Sequence, residues 1–343
     1  MKHSNIAFFV PHLGCPHVCS FCDQRSISGA SRQPQPQEVR EVCGHALKHM
    51  TQQQRQNTEI AFFGGSFTAI DRETMLGLLE AAAPFCGAGK LAGIRISTRP
   101  DAVSEEILRL LRQYRVSAVE LGAQSMDDRV LALNRRGHTA AQTIEASQLL
   151  RAYGFSLGLQ MMTGLYGDSK ESAYHTAEAL IGCRPDTVRI YPTVVIRGTE
   201  LCRLYEAGIY HPPGVDDTVP LAAQLMQKFV QAGIRVIRVG LHASRELEQN
   251  MVAGAYHPAF RELCEGELFY RGLLEKLEQL GMKEAEVAVN PRDMSRLVGQ
   301  SRRNMLRLEQ AGYRLRLRRD ESLPERSLTV RTAERKDTVT ICC

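Results

Sequence analysis

Short apolar segments alternate with longer segments of helical periodicity over roughly the first 240 residues of the chain. The short segments are rich in β-branched residues and predict strands near 6–10, 59–63, 93–97, 116–121, 155–161, 186–190 and 234–239. Between them, apolar positions recur with helical spacing near 37–52, 71–86, 103–114, 127–133, 140–153, 169–182 and 216–232. This alternation predicts βαβ units and a parallel sheet.

The sequences that follow the strands favour one of two forms of such a sheet. Periodicity alone allows either an open, doubly wound sheet or a sheet curled into a partial barrel. In a barrel the chemistry lies at the carboxyl ends of the strands. Unusual sequences follow the strands repeatedly here: a cysteine-rich loop, Gly64-Gly65, STRPD, GAQS, MTGLYGD and YPTVVIRG. One shared mouth explains all of them, so we predict an α/β fold built as a partial (β/α)6 barrel.

The pattern changes after about residue 250. We predict a helix over YHPAFRELCEGELFYRGLLEKLEQLG, a strand at AEVAVN, a helix over RDMSRLVGQSRRNMLRLEQAG and an exposed strand at YRLRLRR, followed by a polar tail to Cys343. The chain therefore divides into a core domain, residues 1–250, and a small basic C-terminal α+β region, residues 251–343.

Composition places the protein among ordinary globular proteins. Of its 343 residues, 43% are hydrophobic, and the net charge is +5. No eighteen apolar residues run together and the apolar run before Pro11 is too short for a signal peptide, so we expect a cytoplasmic protein without a membrane segment. In a reducing cytosol, ten cysteines do not indicate a disulfide framework, and a tight cluster of them favours a metal site.

Positive charge is concentrated near the C-terminus. Nine arginines stand between Arg292 and Arg319, against two acidic residues, and such a stretch could attract polyanions. If YRLRLRR is a strand, alternation places Arg314, Arg316 and Arg318 on one face. The alternative is a solvated basic edge that prevents pairing with other strands.

Three cysteines, Cys15, Cys19 and Cys22, lie within the loop after the first strand. Structural zinc requires four ligands, which His12 or His17 could complete. An iron–sulfur cluster normally takes four cysteines, so three would leave one iron without a protein ligand. Soft thiolates suit either metal site.

The spacing C-x3-C-x2-C, with Phe21 directly before the last cysteine and a strand before the loop, resembles the radical S-adenosylmethionine superfamily. The resemblance implies that Cys15, Cys19 and Cys22 hold three irons of a [4Fe–4S] cluster, while S-adenosylmethionine chelates the fourth. Reduction of the cluster would then release a 5′-deoxyadenosyl radical. Phe21 would flank the adenine of the cofactor.

Further cofactor contacts follow from the same resemblance. Gly64 and Gly65 match the glycine pair that contacts the methionine amino group, although they also suit a tight turn. Gln124 and Arg136 match positions that bind the ribose and the carboxylate, although Arg135 is adjacent to Arg136 and Gln124-Ser125 could be a helix cap. The remaining expected contacts are Gln160, which ends the fifth predicted strand, and Ser97, which stands where relatives carry a glutamate.

Several other residues near the mouth have two interpretations. Glu120 could be an ion-paired strand end. Tyr191 and Arg197 follow the sixth strand and could position a substrate or support the structure. His242, which follows the last predicted strand of the core, could reach the mouth or cap the barrel.

The segments VELGAQS, NRRGHT and IYPTVVIRGT narrow the resemblance to the radical domain of the Elongator catalytic subunit, which modifies the wobble uridine of tRNA. This likeness covers roughly residues 5–245. It implies RNA as substrate, with tRNA as the first candidate, and a reductase, flavodoxin or ferredoxin as electron donor. The cysteine spacing is more compact than in Elongator, and nothing after residue 250 resembles its acetyltransferase domain.

Two other functions stay open on the sequence. One is a radical enzyme that acts on a small molecule such as a tetrapyrrole. The other is an RNA-binding module in which the cysteine loop holds structural zinc.

Overall fold

Seven parallel strands form the central sheet in a computed structural model that describes residues 4–10, 19–23, 32–331 and 336–341. The strands lie side by side in chain order and curl into a half-barrel. They are β1 (Ser4–Phe9), β2 (Thr58–Phe63), β3 (Ile94–Thr98), β4 (Val116–Gln124), β5 (Ser156–Thr163), β6 (Thr187–Pro192) and β8 (Arg235–Val239). The predicted partial barrel is confirmed, with every strand of this sheet within three residues of its expected ends.

All but the last of the following helices lie between successive strands of the sheet, as parallel pairing requires. They are α1 (Pro36–His49), α2 (Gln52–Gln56), α3 (Arg72–Ala82), α4 (Glu105–Gln113), α5 (Asp128–Leu133), α6 (Ala140–Ala152), α7 (Lys170–Gly182), α8 (Glu200–Glu206), α9 (Val215–Gln231) and α10 (Arg245–Asn250). Side chains that accept backbone N–H groups begin many of them, among them Asp71, Ser104, Asp127, Thr139 and Ser169. These caps satisfy donors that the first turn leaves free.

The two faces of the sheet differ because side chains alternate along each strand. One face is apolar and belongs to the main hydrophobic core, with members such as Ile60, Phe62, Ile96, Leu121 and Leu159. The residues between them face the concave side and include charged and polar side chains. The fold therefore forms a cavity with a mixed polar and apolar lining next to an apolar core.

A short antiparallel ribbon lies outside the main sheet. It consists of β7 (Val194–Ile196) and β9 (Met251–Gly254), which pair with each other. The hydrophobic core also continues from the half-barrel into the C-terminal region. The division of the chain at residue 250 stays a prediction.

The C-terminal region is an α+β unit, as expected. It contains α11 (Phe260–Gln279), α12 (Met294–Val298), α13 (Arg303–Gln310) and a four-stranded sheet in the order β11 (Arg314–Arg319), β10 (Glu284–Val289), β12 (Ser327–Arg331), β13 (Lys336–Thr340).

Two predictions for this region were wrong. The helix expected over RDMSRLVGQSRRNMLRLEQAG is interrupted, because Gly299, Ser301 and Arg302 have φ values of 75°, 51° and 62°, which no α-helix adopts. The expected polar tail instead supplies β12 and β13. Its apolar residues Leu328 and Val330 alternate with polar ones and are buried. No helix among the described residues has the length and apolar character needed to span a membrane.

Candidate active site

The end of the cysteine loop is fastened to two helices of the half-barrel. The backbone N–H of Ser20 donates to the carbonyl of Asn134 over 3.0 Å, and the Ser20 hydroxyl donates to the Asn134 side chain over 2.9 Å. On the other side, the N–H of Leu201 donates to the Ser20 carbonyl over 2.7 Å. These bonds hold Cys19 and Cys22 on either side of Ser20 in place. Cys15, His12 and His17 lie outside the described residues.

A cavity of about 660 Å³ occupies the concave side of the half-barrel. It is lined by the predicted residues Cys19, Cys22, Phe21, Gly64, Gly65, Ser97, Gln124, Arg136 and Gln160. The structure therefore brings together every predicted cofactor or metal residue that it describes. They come from six different segments of the chain and meet because parallel strands end at the same edge of the sheet.

The glycine pair after β2 forms one wall of this cavity. Gly64 and Gly65 have φ values of 84° and 40°, a region that other residues rarely adopt. The turn interpretation is therefore confirmed. Because neither residue carries a Cβ, the turn also lets a ligand approach the backbone closely.

The end of β4 is strained next to the cysteines. A bulge interrupts its pairing with β5, and Gln124 has a φ of 67°. Such backbone is uncommon outside glycine and is concentrated at functional sites. The cap of α5 is Asp127, whose carboxylate accepts the N–H groups of Arg129 and Val130 over 2.8 and 3.2 Å. Gln124 is thus not the helix cap, and its side chain lines the cavity.

The two adjacent arginines after α5 lie on different sides of the chain. Arg136 is buried and lines the cavity. Its Nη1 lies 3.6 Å from Cys19 Sγ, and its Nη2 donates to the Gly122 carbonyl over 2.5 Å. Arg135 is largely exposed and is 3.4 Å from Glu200. Of the two candidates, only Arg136 lines the cavity.

A network of ion pairs and hydrogen bonds, which we call the floor network, begins in the cavity lining. Its members Glu120, Gln160 and Arg189 line the cavity, and Arg95 and Glu59 join them through ion pairs. Glu120 accepts two hydrogen bonds from Arg189, over 2.6 and 2.8 Å, and lies 3.3 Å from Arg95. Arg95 also pairs with Glu59 over 2.7 Å. Gln160 donates to Glu120 over 3.1 Å, so its amide nitrogen is engaged by the protein.

Only part of the floor network was predicted from the sequence. The interpretation of Glu120 as an ion-paired residue is confirmed, but Glu59, Arg95 and Arg189 were missed. The available signal was one charged residue inside each of four otherwise apolar strands. Burial alone would lower the pKa of Arg189, but the interactions of its guanidinium with Tyr191 and Glu120 outweigh burial and raise that pKa. Arg189 is therefore a fixed cation.

At the β8 side of the cavity, Arg238 organises the loop that follows the strand. Its guanidinium donates to the carbonyls of Gly240 and Leu241 over 3.0 and 2.9 Å, and to His242 Nδ1 over 3.0 Å. His242 and Tyr191 both line the cavity, whereas Arg197 does not. Of the two residues expected to position a substrate, Tyr191 alone is at the mouth.

Three buried polar atoms in the cavity wall indicate that the cavity binds a polar ligand. Ser97 Oγ, Gln124 Oε1 and Arg136 Nε have no hydrogen-bond partner among the described residues. Buried polar groups are almost always paired, and an unpaired one is costly. Together with two soft thiol donors and a glycine turn, these atoms fit an iron–sulfur cluster and a cofactor with amino, hydroxyl and carboxylate groups.

A half-barrel with cysteines, a glycine turn and unpaired polar atoms around one mouth defines a class of enzyme that holds a metal cluster and an organic cofactor together. The chain belongs to the radical SAM superfamily, whose sequence pattern matches residues 9–180, and the Radical_SAM C-terminal domain matches residues 185–269. The superfamily uses a [4Fe–4S] cluster and S-adenosylmethionine. The resemblance predicted from the cysteine motif is confirmed.

Two sequence relatives are consistent with the resemblance to the radical domain of the Elongator catalytic subunit. The chain is 34% identical over 142 residues to the tRNA uridine(34) acetyltransferase of Methanocaldococcus infernus, a match that covers 40% of this chain and 27% of the relative. It is 30% identical over 211 residues to the human (Homo sapiens) Elongator complex protein 3, covering 59% of this chain and 37% of the relative. The matched segments are thus well under half of either relative.

A solved structure shares the fold. The archaeal Methanocaldococcus infernus Elp3 with an N-terminal deletion superposes with a TM-score of 0.60 at 21% identity, covering 81% of this chain and 63% of that chain.

Proposed function

We propose that Cys15, Cys19 and Cys22 hold a [4Fe–4S] cluster and that the rest of the cavity holds S-adenosylmethionine. When bound and reduced, this pair supplies a 5′-deoxyadenosyl radical that abstracts hydrogen from a substrate. The observation that carries the proposal is the convergence of nine predicted residues on one cavity, three of which carry a buried polar atom without a partner among the described residues.

The roles of the lining residues follow from their chemistry. The turn at Gly64 and Gly65 leaves room for the methionine amino group against the backbone. Arg136 Nε and Gln124 Oε1 are free to bind the carboxylate and the ribose. Ser97 Oγ offers a third contact, and Phe21 gives the adenine an apolar surface. Gln160 orients Glu120, so it contributes to the cavity through the floor network.

Anaerobic reconstitution tests this chemistry. We expect a brown protein that releases 5′-deoxyadenosine from S-adenosylmethionine under dithionite, and we expect Cys19→Ala to abolish both the colour and the release. Cys183→Ala is the matched control, because Cys183 lies at the end of α7 outside the cavity. A colourless wild-type protein that binds zinc would instead support the structural-zinc RNA-binding module.

We further propose that the substrate is RNA, with a tRNA base as the first candidate. The support is the similarity to tRNA uridine(34) acetyltransferase and to Elongator complex protein 3. Acetyl transfer is not part of the proposal. Nucleoside mass spectrometry of tRNA from cells with and without the gene tests it: we expect one modified nucleoside to disappear on deletion. An unchanged nucleoside profile would contradict an RNA substrate.

One observation argues against phosphate binding by the basic stretch and so leaves a small-molecule substrate as the second candidate. Of the nine arginines between Arg292 and Arg319, seven form ion pairs with acidic side chains: Arg292, Arg296, Arg302, Arg303, Arg307, Arg314 and Arg318. Only Arg316 and Arg319 have no such pair among the described residues. The phosphate-binding capacity of this stretch is therefore smaller than its composition indicates.

Binding of bulk tRNA over a salt series separates the two substrates. An RNA-acting enzyme binds tRNA at low salt with an affinity that falls steeply as salt rises, because bound phosphates release counterions. An enzyme for a small molecule shows no salt-dependent tRNA binding.

A further inference from the structure

Arg136 differs from the other buried arginines in what it contacts. Three arginines are buried among the described residues: Arg95, Arg99 and Arg136. Arg95 pairs with Glu59 and Glu120, and Arg99 pairs with Asp101 over 2.8 Å. Arg136 is only 7% exposed, and no carboxylate in the described part of the chain pairs with it. Its contacts are the Cys19 sulfur and the Gly122 carbonyl.

Before the cofactor carboxylate proposed for Nε binds, this guanidinium has no carboxylate partner, and desolvating an uncompensated charge is costly. The sulfur of Cys19 lies 3.6 Å from Nη1, within reach of a hydrogen bond to a thiolate. Cys19 becomes a thiolate when it ligates a metal. The structure thus places a permanent positive charge and an N–H donor against one ligand of the proposed cluster.

Local geometry holds Arg136 in this position. The N–H of Arg136 donates to the Leu131 carbonyl over 2.9 Å, and Arg135 has a φ of 52°, so the chain turns sharply between the two arginines. Gly122 leaves the space that the guanidinium occupies: a Cβ there would lie 2.8 Å from Arg136 Nη2. Asn134, two residues earlier, binds Ser20 and so fixes the cysteine loop to the same turn.

We propose that Arg136 is a positioning residue that holds the Cys19 thiolate and raises the reduction potential of the cluster. Hydrogen bonds to cluster sulfurs and nearby charge are main determinants of such potentials. Reduction adds one electron, supplied by an external one-electron donor, and no bond is made or broken. The reduced cluster carries one more negative charge, which the Arg136 cation stabilises more strongly than it stabilises the oxidised form. This inference rests on the proposed cluster.

The test is a redox titration of the reconstituted full-length chain with dithionite, followed by electron paramagnetic resonance, without S-adenosylmethionine. At the potential where the wild-type cluster is half reduced, we expect Arg136→Gln to lower the ratio of reduced to oxidised cluster ~10-fold, which is 59 mV for one electron. Arg136→Lys keeps the charge but loses the planar fork, so a smaller fall of ~3-fold is expected. The matched control is Arg135→Gln, which removes an exposed arginine and leaves the ratio unchanged.

The outcomes distinguish this inference from the proposed function. If wild-type protein takes up no iron and sulfide, the proposed cluster fails, and with it the inference. If wild type and Arg136→Gln carry equal iron and sulfide but have the same potential, the inference alone is overturned. If Arg136→Gln cannot be loaded, Arg136→Lys decides: a lowered ratio supports the proposal, and an unchanged ratio rejects it.

Discussion

At the scale of single residues, Glu120 connects the floor network. It is 1% exposed and forms ion pairs with both Arg95 and Arg189, while Arg95 also pairs with Glu59 on the neighbouring strand. Buried ion pairs contribute little when intact, because desolvation offsets their attraction. Removing one partner is costly, since it leaves a buried charge without compensation. The floor network is therefore stable only while each of its buried charges keeps a partner.

The first prediction concerns Glu120→Gln, which leaves two arginines facing a neutral amide. We expect the free energy of unfolding to fall by ~3–5 kcal/mol, measured by denaturant titration. Glu106→Gln is the control, because Glu106 forms an exposed pair with Arg72 over 2.7 Å and such pairs contribute less than about 1 kcal/mol. Equal losses in the two variants would contradict a special role for the buried site.

A second residue-scale prediction concerns pH. Burial, together with the positive charges of Arg136 and Arg99, lowers the pKa of His138 from 6.5 to about 3. Below pH 6.5 the unfolded chain therefore binds a proton that the folded chain does not. The contribution of neutral His138 to the free energy of unfolding is therefore complete above pH 6.5. It is lost as the pH falls towards 3, by up to about 1.4 kcal/mol per pH unit.

Denaturant titrations between pH 7.5 and 5 check this slope against His138→Gln, whose side chain does not titrate. We expect the variant to lose less stability than the wild type on acidification. Parallel pH profiles for the two proteins would show that His138 titrates normally in the folded state.

At the scale of elements, the short helix α5 and the turn after it carry several parts of the site. Asp127 caps the helix, Asn134 ends it, and Arg136 follows. Asn134 is fully buried, accepts from Ser20, and donates to the carbonyls of Val130 and Tyr166 over 2.8 and 2.9 Å. One side chain thereby connects the cysteine loop to the helix and to the loop after β5.

We therefore predict that Asn134→Ala loosens the cysteine loop. After anaerobic reconstitution it should retain at most about half of the wild-type iron and sulfide, because removing hydrogen bonds to a buried loop costs ~1–3 kcal/mol. Asn250→Ala removes a half-buried asparagine whose side chain donates to the Glu246 carbonyl over 2.9 Å, and is the control. Full iron content in Asn134→Ala would show that other contacts suffice to hold the loop.

At the scale of the whole molecule, the cavity and the basic edge are separate surfaces. The cavity lies inside the half-barrel, whereas β11 is the edge strand of the C-terminal sheet. On that edge Arg314 pairs with Glu284 and Arg318 with Glu286, which supports the interpretation as a solvated edge for these two. Arg316 and Arg319 stay available to phosphates.

The double variant Arg316→Gln/Arg319→Gln tests this surface. If it contacts RNA, binding of tRNA weakens at every salt concentration, and the slope of log affinity against log salt falls by ~0.9 for each phosphate that the variant no longer binds. Arg109→Gln is the control, since Arg109 is an exposed arginine on α4, outside the C-terminal region. An unchanged slope would assign RNA binding, if observed, to another part of the protein.

The sequence alone determined the order of strands and helices, the parallel sheet and the family, because these depend on local periodicity and on a motif within eight residues. It failed where positive φ values at Gly299, Ser301 and Arg302 interrupt a helical pattern, and where a tail predicted to be polar forms strands that pair in the C-terminal sheet. Those outcomes depend on contacts that local sequence does not contain.

Only the tertiary structure decided which candidate residues lie at the cavity and which lie in solvent. Arg135 and Arg136 are neighbours in sequence, yet one turn places the first in solvent and the second against Cys19. Glu59, Arg95, Glu120 and Arg189 stand far apart in the chain, and they form one network because strand pairing places all four on the same face of the sheet, on β2, β3, β4 and β6. Such partnerships are set by pairing across the sheet, which no local pattern encodes.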